Sequence, residues 1–144
     1  MNIQYRIVRL DEVKYRLNFD YNYTSLDKEK MVYQFSHTID TNKDRSEIIV
    51  EINVRFMTDE AGVALAEQGV RATFAVNPYD GVVSKTNGEG INVHTPELID
   101  TFANVTIGAL RGMIAKNLKG TPLEDCVLPL ISMDFLHTMM TNKE

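Results

Sequence analysis

The sequence is poor in cysteine, in positive charge and in long apolar runs, and each shortage excludes something. One cysteine, Cys126, forms no internal disulfide, so nothing asks for an oxidising compartment. A formal net charge of −5 and a pI near 5.2 exclude the clustered Lys and Arg footprint of a nucleic-acid binder. The opening "MNIQYRIVRL" is broken by Gln4, Arg6 and Arg9, so it lacks the apolar core of a signal peptide. No stretch approaches the roughly 20 apolar residues that cross a bilayer. Without secretion, the sequons at Asn22 and Asn104 carry little meaning. With 44% apolar residues over 144 positions, the expectation is a single cytoplasmic domain spanning 1–144 with one core.

Catalytic constellations are also missing. His37, His94 and His137 fall in a strand, a loop and a terminal helix, with no ligand spacing between them. Cys126 has no flanking motif and reads as a small buried thiol. The glycines of "TNGEG" lack the strand-before, helix-after setting of a phosphate loop, and Asp59-Glu60 sits at a solvated turn. The sequence therefore predicts no enzyme, no metal and no cofactor.

What is present is periodicity. Ile3, Tyr5 and Ile7 share one face, and Val13, Tyr15, Leu17 and Phe19 resume the alternation after Asp11-Glu12: one long strand with a bend near Asp11. "MVYQFSHTID" alternates Met31, Tyr33, Phe35, His37 and Ile39 against polar residues, and "SEIIVEINVRFMTD" does so with Ile48, Val50, Ile52, Val54 and Phe56. In "VALAEQGVRATFAV" the phase flips, from Val63 and Leu65 to Val70, Ala72, Phe74 and Val76, with Gly69 at the switch. Tight turns between the second, third and fourth strands favour an antiparallel meander covered on one face. Residues 77–94 read as loop.

The period then becomes helical. Thr95 suits an N-cap, Pro96 the first helical position, and Gly120 a C-terminal stop, giving a long helix through Lys119. Leu98, Phe102, Val105, Ala109 and Met113 form one stripe, and Ile99, Ile107, Leu110, Ile114 and Leu118 widen it beyond the roughly 100° arc that packing on one sheet requires. Gly108, Gly112 and Ala115 add small residues that let a second backbone approach; sheet contact and a subunit interface both fit. Extended "TPLEDCVLPLI" and a short helix capped by Ser132 close the chain. The order predicts an α+β fold: a four-stranded antiparallel sheet, a long helix packed on it and a short C-terminal helix.

The last third, "KGTPL", "VLPLISMDFL" and the short amphipathic helix, resembles the carboxyl half of the SecB family of bacterial chaperones. Pro129, Met133, Asp134 and Leu136 stand at that family's motif positions, "IQYRIVRLDEV" is similar to its opening strand, and "LAEQGVRATFAV" to its fourth. The resemblance implies an ATP-independent holdase for unfolded polypeptides, assembled as a dimer of dimers with long helices between sheets. It further implies that the crossover "NFDYNYTSLDKEK" walls an apolar client groove, which would employ Phe19, Tyr21 and Tyr23 together with Tyr33 and Phe35.

The residues leave two readings of each ring open. Phe19 continues the strand's alternation and is expected to pin the crossover to the sheet, whereas Tyr21 and Tyr23, set among Asp20 and Asn22, are expected to meet client. Tyr33 and Phe35 suit the core or a groove edge. The family's docking on an export motor would fall on Asp11, Leu65 and Glu67, but Arg16 stands at another of its acidic positions, and no longer acidic tail follows the last helix. Those departures turn the expectation toward export or a related pathway, such as toxin–antitoxin control. The rival expectation is a small-molecule-binding or purely structural oligomeric module.

Overall fold

The computed structural model describes residues 2–59, 62–85, 91–93, 96–132 and 134–135. His94, Thr95, Met133, Leu136, His137, Glu60 and the "TNGEG" stretch lie outside them.

Four strands, β1 (Gln4–Leu17), β2 (Val32–Asn42), β3 (Glu47–Met57) and β4 (Ala64–Asn77), make one antiparallel sheet in the order β1-β4-β3-β2. The last three form the expected meander, and β1 returns beside β4 in the manner of a Greek key. β1 and β2 therefore stand at opposite edges. Leu17 pairs with Ala66 and Val32 with Met57, so the segment 18–31 must cross one end of the sheet to connect them. Two register shifts in β1, between Ile7 and Arg9 and between Glu12 and Lys14, bracket the bend expected at Asp11.

One face of the sheet is the core. Ile48, Val50, Ile52, Val54 and Phe56 of β3 meet Leu65, Val70, Ala72, Phe74 and Val76 of β4, and all are buried. Helix α1 (Pro96–Asn117) lies over β3 and β4, with Phe102 stacked on Phe74 at 3.9 Å and 7°. The helix buries Ile99, Ala103, Ile107, Leu110 and Ile114 along with Leu98 and Phe102, while Val105, Ala109 and Met113 are only half-buried. The expected stripe is thus shifted around the helix. The chain after it joins the same core, with Leu118, Leu123, Cys126 and Leu128 all buried in the one cluster. By length and composition α1 would pass for a membrane span, yet this burial is that of a core helix.

Helix α1 ends two residues before the expected Lys119. The Lys119 N–H turns back to the Lys116 carbonyl in a tightened last turn, and Gly120 takes a φ of +82°. After Leu128 the chain is extended, and the Arg111 guanidinium donates to the carbonyls of Leu128 and Pro129, both at 3.1 Å. Ser132 Oγ accepts the Phe135 N–H at 3.1 Å, the geometry of the cap expected there. The stretch read as loop also holds a small ribbon, β5 (Val83–Lys85) paired with β6 (Ile91–Val93).

Gly69 is required by space rather than by φ. A Cβ there would stand 2.0 Å from Asn53 Oδ1 and 2.9 Å from Val13 Cγ2. Gly69→Ala is therefore expected to cost about 1–3 kcal/mol in chemical denaturation, and adding Asn53→Ala should recover much of it. Equal stability of Gly69→Ala and wild type would show that the sheet yields at this point.

Candidate functional site

The crossover turns at Asn18. Its N–H donates to the Leu65 carbonyl at 2.8 Å and its side-chain amide to the Ala64 carbonyl at 3.0 Å, which ends the alternation of β1. The rings that follow are placed in the reverse of the expected order. Phe19 is 85% exposed. Tyr21 and Tyr23 are half-buried, pack against the core and meet edge-to-face at 5.2 Å. Tyr23 also donates its hydroxyl to the Asn18 carbonyl at 2.6 Å, with the Leu65 carbonyl at 3.3 Å. Burial, then the neighbouring Tyr15 and Tyr21, pushes the Tyr23 hydroxyl above its ordinary 10.0. Two single-turn 3-10 helices, Tyr23–Ser25 and Lys28–Lys30, capped by Asn22 and Asp27, carry the chain on to β2.

The crossover and the segment after α1 meet at the start of β2. Cys126 Sγ lies 3.9 Å from Met31 Sδ, and Lys28 Nζ lies 3.9 Å from Asp125. Burial raises the Cys126 thiol above its ordinary value. Tyr33 is half-buried with its ring edge-to-face on Phe56 at 5.0 Å, and Phe35 faces Phe135 at 6.1 Å. Around these rings Val32, Val127, Leu130 and Phe135 are exposed, Leu130 to 90%. An apolar surface thus runs beside β2, whose outer edge pairs with no strand among the described residues.

The three residues assigned to partner docking do not form one exposed acidic patch. Leu65 has no exposed surface, because the chain irregularity at the start of β4 turns both Leu65 and Ala66 inward. Glu67 sits between Lys14 Nζ at 3.3 Å and Arg55 Nε at 3.5 Å. Asp11 is paired with Arg9 at 2.8 Å. Gly108, Gly112 and Ala115 do share one exposed face of α1, and a Cβ at either glycine would meet nothing within 4 Å.

No family model and no curated protein sequence matches this chain. A solved structure does: a SecB-like chaperone of Mycobacterium tuberculosis in complex with a ChAD peptide from the HigA1 antitoxin, with 16% identity, a TM-score of 0.57, and coverage of 89% of this chain and 90% of that one. The fold is SecB-like.

Within that SecB-like frame, the residues missed by sequence reasoning are Val127, Leu130 and Phe135. Alternation signalled Val127 alone, exposed between the buried Cys126 and Leu128; Leu130 leaves that alternation after Pro129, and Phe135 lies beyond the stretch. Among the described residues no group of His, Cys, Asp and Glu is disposed to hold a metal.

The Tyr21 and Tyr23 placements reverse an expectation about stability. Tyr21→Ser combined with Tyr23→Ser should destabilise the fold by about 3 kcal/mol or more, since half-buried rings and a hydroxyl bond are lost together. Thermal melts check this, and an unchanged midpoint would return both rings to the free surface.

Proposed function

We propose that this SecB-like protein is a cytoplasmic, ATP-independent holdase that takes unfolded or partly folded polypeptide along the apolar surface beside β2. The observation that carries the reading is the concentration of exposed apolar side chains there, Leu130 at 90% and Phe135 at 47% with Val127 and Val32, joined by Phe19 on the crossover. Exposed apolar area of this kind marks interaction surfaces. A client segment burying it gains about 25 cal/mol per Å². The edge of β2, unpaired among the described residues, adds main-chain donors and acceptors, so an extended client could pair as an added strand while alternate side chains rest on Phe35 and Phe135. The mycobacterial neighbour's complex with an antitoxin peptide supports peptide binding on this fold, and supports toxin–antitoxin control beside export as the pathway served.

The reading includes a homo-oligomer, a dimer of dimers. Tyr5, Ile7 and Leu10 of β1 are each more than 40% exposed beside the half-buried Val105, Ala109 and Met113, and the small residues Gly108, Gly112 and Ala115 face outward next to them. A second copy covering this strip would remove it from water.

Two measurements test the proposal. Stoichiometric protein should suppress aggregation of a chemically denatured model protein without nucleotide, and no suppression would leave the structural-module reading. Phe19→Ser with Leu130→Ser should weaken client binding about tenfold while changing stability by about 0.5 kcal/mol, because both side chains are already in water. A compact ligand surviving purification, seen by native mass spectrometry, would favour the small-molecule alternative instead.

Assembly is tested separately. Gly112→Leu fills open space in the isolated fold, so it should leave monomer stability intact while shifting sedimentation toward smaller species. A clean monomer of the wild type at micromolar concentration would remove the interface.

A further inference from the structure

The two faces of β2 differ in chemistry, and the difference runs two strands deep. Residues directly opposed across a strand pair share a face. Tyr33, Phe35, His37 and Ile39 are half-buried and stand opposite Phe56, Val54, Ile52 and Val50 of β3, all buried in the core. Between them Gln34, Ser36 and Thr38 are exposed and stand opposite Arg55, Asn53 and Glu51. The register of β2 against β3 has no shift from Tyr33 to Ile39, so the alternation keeps its phase over about 23 Å, at about 3.3 Å per residue. β1, the opposite edge, loses phase twice, at the shifts after Ile7 and after Glu12.

The chain after α1 strengthens the contrast. Phe135 adds its ring to the apolar side, edge-to-face with Phe35 at 6.1 Å. The Arg111 guanidinium holds the start of that segment through the carbonyls of Leu128 and Pro129, both at 3.1 Å.

We propose that the β2 edge selects its clients by pattern, taking extended segments in which apolar and polar residues alternate in preference to segments that hold the same residues as an unbroken apolar run. The inference rests on the holdase reading above and names the class of polypeptide that its surface takes. A strand added to β2 also has period two, so its alternate side chains lie over opposite faces. Those on one side meet Tyr33, Phe35, His37, Ile39 and Phe135 and leave water. Those on the other side stand beside Gln34, Ser36 and Thr38 and remain in it. An alternating segment places all its apolar residues on the first side, whereas an unbroken run turns half of them to the second, where they gain little. A slip of one residue exchanges the two sets, so the pattern also fixes the register of the bound segment. Alternation of this kind belongs to strands with one face buried in an antiparallel sheet. The favoured clients are therefore segments that would later pair in such a sheet of their own, met before it forms.

The test uses the full chain and two fluorescent peptides of one composition, four leucines and three serines between lysine pairs, matched in length to the stretch from Tyr33 to Ile39 and read by anisotropy. In one the leucines and serines alternate; in the other the leucines are consecutive. The alternating peptide should bind about tenfold tighter, because the run turns two of its leucines to the polar side. Methylating the backbone nitrogens of the alternating peptide removes its donors and leaves its side chains, and should bring its affinity down to that of the run or below. Gln34→Leu with Ser36→Leu makes the second side apolar and should bring the two peptides to within about twofold of each other. Both replaced side chains are exposed, so circular dichroism should show the variant folded. Equal affinity of the wild type for the two peptides, tighter binding of the run or of the same residues at helical spacing, full affinity of the methylated peptide, or a preference untouched in the double variant would each overturn the inference and leave the holdase reading standing. Binding of neither peptide would overturn it as well, and the aggregation assay above then decides whether the holdase reading falls with it.

Discussion

A single helix is too narrow for the sheet it covers. Four strands spaced about 4.8 Å apart present a face roughly 15–19 Å across, whereas an α-helix with its side chains is about 10–12 Å wide. Helix α1 therefore seals β3 and β4 and leaves the core-side residues of the two edge strands only partly covered. On the β2 side the extended chain after α1 makes up part of the difference, burying Cys126 and Leu128 but leaving Val127 and Leu130 in water. On the β1 side no described segment does so, and Tyr5, Ile7 and Leu10 stay half-exposed. The two apolar strips on which client binding and assembly are proposed both follow from that mismatch of widths.

The strand order compounds it. With β1 and β2 at opposite edges, the crossover has to span the end of the sheet, and its anchorage decides which of its side chains are free. Asn18 and Tyr23 both bond to the backbone at the start of β4, so the tyrosines are drawn toward the core while Phe19, on the turn itself, is pushed outward. A polar residue supplying the anchor and an aromatic ring supplying the exposed surface is the opposite of what hydrophobicity alone suggests.

This explains what was legible in the sequence. Strand alternation and the helix signals at Pro96 and Gly120 are local properties, and each reappears at its place in the α+β fold, whereas the phase flip expected at Gly69 falls at Leu65, where the register of β4 against β3 shifts. The Phe19 placement was missed because alternation was carried one residue past Asn18, where hydrogen bonds to a strand 46 residues away end it. Leu65 looked available as half of a Leu-x-Glu pair, but its exposure depends on a register irregularity between β3 and β4 that no single-strand pattern contains. The β5–β6 ribbon did have a signal, short apolar runs flanking Asn87-Gly88, which is a hairpin dipeptide.

The two edges of the sheet are protected unequally, and the difference bears on function. β1 carries Arg6, Arg9, Asp11, Glu12, Lys14 and Arg16 and is twice irregular, devices that discourage another strand from pairing with it. β2 has none of these from Val32 to Ile39: no lysine, proline or glycine, no formal charge at neutral pH, and an unbroken register with β3. Burial holds His37 below its ordinary pKa of 6.5, so this residue too stays neutral along that edge. A flat, uncharged edge beside exposed phenylalanine and leucine invites aggregation when it has no role. The same chain has the means to guard an edge and applies them to β1, so the openness of β2 is a selective feature of one edge. Main-chain pairing requires no particular side chain of the incoming strand, and apolar contact requires only that some be hydrophobic. An edge of this composition is therefore suited to many unrelated sequences, provided that they are extended and not yet folded.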